Sequence, residues 1–329
     1  MKKINWGILS TARIGLNSVI PAMQKGQYSE IMAIASRNVE KAKNAAKDLA
    51  IPKYYPSFAQ LLQDKEIEAI YIPLPNHLHV EWILKSLKAG KHVLCEKPLS
   101  LNLKEAEYLQ EEVQKFPGLK VMEAFMYRHH PQTKAVKKLL GEKHIGELKS
   151  IHTLFSYYNT NPQDIRNQPD IGGGGLLDIG CYRISYSRYL FSSEPIRVCG
   201  IIDYDPKLKI DRLTSSILEF KTGTSVFSCS TQMAPHQYAK ILGTDGRIDI
   251  EFPFTPPADR PVKINFQAGS KINQLVFDAC SQHTIQGDLF SQAILNNTPV
   301  PTPLEDGVAN MRVIERIFES SKRGSWTNL

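Results

Sequence analysis

The chain has 329 residues, 42% of them hydrophobic and 22% charged, with 40 Lys and Arg against 33 Asp and Glu. That is about two domains' worth at roughly 150 residues each, in a composition that is neither disordered nor disulfide-built. The net charge of +7 lies mainly in the first 122 residues with no basic stripe between aromatics, and no apolar run nears the roughly 18 residues of a membrane span, so neither a nucleic-acid nor a membrane partner is expected.

In chain order, the first part alternates short apolar runs with helical segments. Strands are expected at residues 4–9, 31–36, 69–72, 92–95 and 120–124, and helices at 14–25, 39–49, 79–89 and 103–115. Apolar runs of this length between helices imply βαβ units and a parallel sheet, whose carboxyl edge binds ligands. Gly90 is a helix stop and Asn102 an N-cap. After about residue 125 the pattern changes. Strand-like runs at 148–155, 197–202, 213–220, 225–231, 238–242 and 247–251 are divided by turn signals such as Thr244-Asp245-Gly246. One helix, 176–191, interrupts them, and helices at 285–296 and 306–320 finish the chain. The Pro-rich stretches 253–261 and 299–303 read as loops. The expected organisation is an α/β domain over 1–124 and an α+β domain with a large, mainly antiparallel sheet over 125–329, its last helix packing back on the first domain.

Four motifs fall on the ligand edge of the first sheet or just after it. The first strand leads into Gly7-Ile8-Leu9-Ser10-Thr11-Ala12-Arg13-Ile14-Gly15, with Ser10, Ala12 and Gly15 where G-x-G-x-x-G places its glycines. Small residues there let the backbone approach a pyrophosphate at a helix N-terminus. The second strand ends in Ser36-Arg37, where an NAD site has an acid for the ribose hydroxyls. A guanidinium pairs instead with a 2′-phosphate, so NADP(H) is the expected cofactor and NAD(H) the secondary one. Pro73-Leu74-Pro75-Asn76-His77 ends the next strand; Asn76 and His77 either contact the nicotinamide ribose or cap the following helix. Glu96-Lys97-Pro98 ends the fourth, and a lysine there can polarise a bound carbonyl or alcohol.

These motifs, with Gly172-Gly173-Gly174-Gly175-Leu176-Leu177-Asp178-Ile179-Gly180-Cys181-Tyr182, make the chain resemble the glucose–fructose oxidoreductase / inositol dehydrogenase / MocA family over essentially its full length. Glu123-Ala124-Phe125-Met126-Tyr127-Arg128 and 176–182 are similar to the branch with dihydrodiol dehydrogenase and NADP-dependent xylose dehydrogenase. The resemblance implies a Rossmann dinucleotide-binding domain followed by a substrate and oligomerisation domain. It implies hydride transfer between nicotinamide C4 and a carbinol or carbonyl carbon of a sugar, polyol or vicinal diol. By the same resemblance Lys97 contacts the reacting oxygen and the cofactor ribose, and Tyr182 stands where many relatives have His. Asp178 and Tyr182, four apart, share a helix face. Ser10, Thr11, Ala12, Arg13, Ile14, Ser36, Arg37, Pro73, Leu74, Asn76, His77, Glu96 and Lys97 are the expected cofactor residues. Lys97, Asp178 and Tyr182 are the expected catalytic residues, and Tyr127, Arg128 and Tyr182 the expected substrate contacts. The glycines 172–175 form either a loop closing over substrate or a tight backbone approach.

The five cysteines are scattered, with no C-x-x-C pair, which fits a reducing cytoplasm rather than a disulfide or zinc framework. His77-x-His79 has a ligand-like spacing, but no Cys, Asp or Glu cluster joins it, and no metal is expected. A homodimer or higher homo-oligomer, formed through the second-domain sheet, is expected from the resemblance. Two competing functions share this fold: an NAD-recycling hydrolase or lyase acting on a glycoside, and a non-catalytic NADP-binding regulator.

Overall fold

The computed structural model describes residues 2–329, which fall into two compact units. The first comprises the chain up to Met126 together with Ser281–Val308, and the second Tyr127–Cys280 with Ala309–Leu329.

The first unit is built on six strands: β1 (Ile4–Leu9), β2 (Ser29–Ala35), β3 (Lys53–Tyr55), β4 (Ala69–Ile72), β5 (His92–Cys95) and β6 (Val121–Glu123). They run in the order β3-β2-β1-β4-β5-β6. Every pair is parallel. β4 is apolar and buried at all four positions, as a strand covered on both faces must be. One cover layer packs Leu61, Leu62, Ile83 and Leu109 on the sheet, and the other Val19, Met23, Ala45 and Phe290. The expected N-cap is present: Asn102 accepts from the Glu105 amide at the head of helix Leu103–Val113. Gly90 follows helix His79–Lys88 at φ +75°, a conformation that favours glycine. The strand order reverses direction between β1 and β4, which opens a crevice at the carboxyl edge.

Helix Gln282–Leu295, expected in the second domain, belongs to this first unit. The Trp6 indole donates to Ser291 Oγ at 3.1 Å. The Asp288 carboxylate accepts from the Gln27 and Tyr28 amides, each at 2.9 Å. The helix expected at 306–320 is Leu304–Arg323, and it passes from the first unit into the second at Val308.

The second unit holds β7 (Leu148–Tyr158), β8 (Arg197–Tyr204), β9 (Asp211–Phe220), β10 (Gly223–Ser230), β11 (Gln232–Gly243), β12 (Gly246–Ile250), β13 (Val262–Ala268), β14 (Lys271–Phe277) and β15 (Thr327–Asn328). Their order is β14-β13-β12-β11-β7-β10-β9-β8-β15. The sheet is antiparallel except at the central β7–β10 pair, which is parallel. Helix Cys181–Phe191 and the later turns of Leu304–Arg323 cover one face. Ser187 Oγ meets Ser225 Oγ at 2.7 Å, Phe191 stacks on Phe220, and a Cβ on Gly200 would sit 2.8 Å from Ile317. The alternate residues point to the other face and stay exposed: Ile201, Ile217, Val226 and Leu242. Val226 pairs with Ile217, and Ile217 with Cys199, so an apolar row runs across three strands. Strands β3, β13, β14 and β15, and helices Phe58–Gln63 and Pro131–Gly141, are additions to the expected pattern.

Candidate active site

The ligand edge of the first unit starts at the turn after β1. Ser10 has φ +117°, a backbone conformation that favours glycine. Its hydroxyl offsets part of that strain, accepting from the Ala12 amide at 3.2 Å and donating to the Pro73 carbonyl at 3.3 Å. The motif's first glycine is thus replaced in residue type while its backbone geometry is kept. The Ser10 amide donates to the Ala35 carbonyl at 3.0 Å, tying the turn to the end of β2. The helix that follows opens with π-type winding over Gly15–Val19 and continues as Ile20–Met23. The amides of Arg13 and Ile14 lie at its opening turn, the helix end whose polarity suits an anion.

At the end of β2, Ser36 is buried and its hydroxyl accepts from the Asn38 amide at 3.2 Å. Arg37 is exposed beside it. An exposed guanidinium next to the Ser36 turn suits a ribose 2′-phosphate. These residues and the Ser10 turn fit a dinucleotide.

Beyond β4, Pro73 and Leu74 are buried while His77 is exposed. The neighbouring histidine does the structural work. His79 is fully buried at the start of its helix. Its Nδ1 lies 2.8 Å from the Pro98 carbonyl and its Nε2 2.8 Å from the Leu74 carbonyl. Burial pushes its pKa down to about 4, with the charges of Lys97 and His77 adding to the effect and the two carbonyls opposing it. His79 therefore bridges the Pro73–His77 loop to the Glu96–Pro98 loop. As a neutral ring it carries one N–H and donates to only one of the two carbonyls, and among the described residues no group of three His, Cys, Asp or Glu could hold a metal ion. In the sequence it stood out only as half of a histidine pair.

At the end of β5, Tyr71 Oη donates to Glu96 Oε1 at 2.6 Å, and the Glu96 amide continues the strand by bonding the Ile72 carbonyl. Lys97 is partly exposed, and its bond to Pro98 is cis. The Leu99 amide then donates to Glu123 Oε1 at 2.8 Å, joining this loop to β6.

The second unit carries the other candidate residues. Asp178 lies on a π-helical turn, Leu176–Gly180, that runs directly into helix Cys181–Phe191. The Cys181 amide reaches back five residues to the Leu176 carbonyl. Tyr182 is in the first turn of that helix, so four residues still return Asp178 and Tyr182 to one side. Tyr157 Oη donates to Asp178 Oδ2 at 2.6 Å, and Arg166 Nε approaches the same oxygen at 3.3 Å. Neither Tyr157 nor Arg166 was singled out in the sequence. Tyr157 lies just beyond the strand expected at 148–155, on the part of β7 that the pattern did not include, and Arg166 lies in a segment without a motif. Asp178 in turn pushes both the Tyr157 hydroxyl and the Arg166 guanidinium upward, burial contributing most for the tyrosine.

Tyr182 packs in an aromatic group with Tyr127, Phe155 and Phe254, at centroid distances of 5.8, 6.5 and 6.1 Å. Tyr127 and Arg128 are buried under the helix that carries Tyr182. Tyr127 Oη meets Ser185 Oγ at 2.7 Å, and Arg128 Nη2 donates to the same oxygen at 2.7 Å.

The glycine run is a tight backbone approach. A Cβ on Gly173 would lie 2.6 Å from the Gln168 carbonyl oxygen, and one on Gly174, at φ +119°, 1.9 Å from Asp211 Oδ1. The buried Asp211 carboxylate accepts from the Leu176 amide at 2.5 Å and from the Thr214 hydroxyl at 3.4 Å. Burial pushes its pKa up to about 7 against those hydrogen bonds. Asp211 thus fastens the π-turn to β9, a role without a sequence signature.

An open parallel sheet in the order 3-2-1-4-5-6, a glycine-like turn after its first strand and a lysine at the carboxyl end of its fifth define a dinucleotide-dependent oxidoreductase. Residues 4–125 match the profile of the Gfo/Idh/MocA oxidoreductase family, NAD-binding Rossmann fold, and residues 133–249 that of its C-terminal domain. The NADP(+)-dependent D-xylose 1-dehydrogenase 2 of Haloferax volcanii is 34% identical over 98% of this chain and 99% of its own. The trans-1,2-dihydrobenzene-1,2-diol dehydrogenase of Xenopus laevis is 36% identical over 74% of each. A 3-ketoreductase from Actinomadura kijaniata, solved with NADP and TDP-benzene, superposes with a TM-score of 0.89 at 30% identity, over 97% of this chain and 98% of that one. The chain belongs to the Gfo/Idh/MocA family, and it is an NAD(P)-dependent oxidoreductase.

Proposed function

We propose that the protein catalyses NADP-dependent hydride transfer at a carbinol or carbonyl carbon of a sugar, polyol or vicinal diol. The observation that carries this reading is the placing of Lys97 at the carboxyl end of β5, on the sheet edge that also holds the Ser10 turn and Arg37. The xylose, diol and keto-sugar activities named for the relatives support the substrate class.

When bound, NADP(H) supplies the two-electron hydride chemistry at its nicotinamide C4. Arg37 and Ser36 would hold the 2′-phosphate, and the opening amides of Thr11–Ile14 would hold the pyrophosphate. Pro73, Leu74, Asn76 and His77 would hold the nicotinamide ribose. Lys97 donates a hydrogen bond to the reacting oxygen, which favours negative charge there. Tyr182 gives that oxygen a proton in reduction and takes it back in oxidation. Asp178, held by Tyr157 and Arg166, orients the turn on which Tyr182 rides. Side chains handle both proton and oxyanion in this scheme.

The same reading includes a homodimer formed through the open face of the second sheet. Support comes from the apolar row of exposed Ile217 and Val226 with half-buried Cys199, and from Ile201, 74% exposed beside it. The five free cysteines suit a reducing compartment such as the cytoplasm. The test of function is an NADP(H) absorbance screen of the purified protein over sugars, polyols, diols and dicarbonyl compounds. Turnover confined to one of these classes is expected, and absence of turnover across all of them contradicts the reading.

A further inference from the structure

The residue after Tyr182 is a fully buried arginine. Arg183 has no exposed surface. Its Nη1 donates to the Ile179 carbonyl of the preceding turn, while Nε and Nη2 have no hydrogen-bond partner. Among the described residues no carboxylate forms an ion pair with it. Instead its guanidinium lies between two aromatic rings, 4.5 Å from the centroid of Phe155 and 4.3 Å from that of Phe254.

Such a placement is costly. Taking a cation out of water without an anion is unfavourable, and the two ring faces offset only part of that cost. Burial pulls the Arg183 pKa down only to about 10, so the group stays charged at neutral pH. The interior holding it is apolar, and charge there acts with little screening.

The groups within its field are few. On its own helix and the turn before it are Asp178, Cys181 and Tyr182, and across from them on β10 is Cys229. Asp178 is already met by Tyr157 and Arg166. Cys229 is held protonated by burial, with Asp211 on the next strand pushing the same way. The Tyr127 ring packs against Tyr182 with centroids 5.8 Å apart. Tyr182 itself packs on Phe155 and Phe254, the same two rings that enclose the guanidinium. Phenol and cation therefore share one apolar wall.

We propose that Arg183 is a positioning residue that acts through Tyr182: its unpaired charge stabilises the phenolate that Tyr182 becomes when it passes its proton to the substrate oxygen. Arg183 touches neither substrate nor cofactor in this role. The proposal rests on the reading of Tyr182 as proton donor. In reduction the hydride goes to the carbonyl carbon and the Tyr182 proton to its oxygen, leaving NADP+ and the phenolate. The field of Arg183 lowers the cost of that phenolate, and reprotonation from solvent completes the cycle.

The test needs no known substrate. Phenolate absorbance near 295 nm is titrated in the wild type and in Tyr182→Phe, and the difference isolates the Tyr182 phenol. It is expected to ionise about one pH unit or more below the ordinary value near 10. In Arg183→Gln, which keeps a donor for the Ile179 carbonyl, the same difference titration is expected to move up by about one unit or more. Arg183→Lys, which keeps the charge, is expected to stay near the wild type. With a substrate in hand, the alkaline limb of kcat/KM should move with the phenol, whereas a merely structural loss lowers turnover at every pH. A wild-type Tyr182 phenol ionising at or above 10 overturns the proposal even if Arg183→Gln does not fold. So does a titration left unmoved in a folded Arg183→Gln. Failure of the underlying reading is a separate result: Tyr182→Phe would keep turnover, wherever the phenol titrates.

Discussion

Arg37 carries the choice of cofactor in this account. It is exposed at the end of β2, where a free acid would reject the 2′-phosphate of NADP. Titration of both cofactors should find NADP(H) bound about five- to hundredfold more tightly than NAD(H), and Arg37→Asp should abolish or reverse that preference. Equal affinities in the wild type would remove Arg37 from the site. This residue was legible in the sequence because a strand end and a charge are both local features. His79 was less legible. Its two carbonyl partners lie 5 and 19 residues away, and a histidine that bridges loops carries no spacing rule. Ser10 shows the limit of residue-type motifs, since a serine adopts the glycine conformation when its hydroxyl has local partners.

At the scale of elements, the turn that carries Asp178 depends on Asp211. The carboxylate satisfies the Leu176 amide at the head of the π-turn, and Gly174 leaves room for it. Asp211→Ala leaves that amide buried without a partner, a cost of about 1–3 kcal/mol, and melting should show it. Gly174→Ala should be worse, because it adds a steric clash with Asp211 to an unfavourable φ of +119°. A wild-type melting temperature in Gly174→Ala would contradict this view of the glycine run. The run itself was visible in the sequence, but two readings of it stayed open, because the side chain that decides between them is on β9. Two of the strands missed in the second unit, β13 and β14, share a cause. β13 and β14 alternate apolar residues with Lys263, Asn265, Gln267 and Gln274 after a Pro-rich loop, and so give a weak strand signal. The parallel β7–β10 pair joins segments some 75 residues apart, which no local pattern encodes.

For the molecule as a whole, three buried histidines tie stability to pH. Burial lowers the pKa of His79 to about 4, of His129 to about 3 and of His130 to about 4, from an ordinary 6.5. The unfolded chain takes up protons at these sites below pH 6.5 before the folded chain does. Their contribution is thus full above pH 6.5 and falls as pH drops toward 4, at about 1.4 kcal/mol per unit for each group. His283, also pushed down by burial to about 4, acts with them, and Asp211, with its pKa raised to about 7, opposes them. Denaturant melts should lose stability steadily from pH 6.5 to 4.5, and a flat profile would contradict the burial of these rings. The proposed assembly also belongs to this scale. Sedimentation at micromolar concentration should give twice the chain mass, and Ile217→Asp with Ile201→Asp should give single chains. A wild-type protein that sediments as a single chain would reject the sheet-face dimer. Least legible of all was the return of Ser281–Val308 to the first unit. Its helix reads like any other, and the contacts that place it, such as Trp6 with Ser291, span 285 residues.

The central claim is that Lys97 and Tyr182 act on one oxygen during NADP-dependent hydride transfer. The measurement that meets it most directly is kcat/KM on the best substrate of the screen for the wild type, Lys97→Met, Tyr182→Phe and the double variant, with NADP affinity measured alongside. Each single variant should lose about 10²–10⁴-fold in kcat/KM while still binding NADP, and the double variant should lose less than the product of the two. Near-wild-type turnover in Tyr182→Phe, with hydride transfer shown to be rate-limiting, would contradict the claim and move the proton to another group.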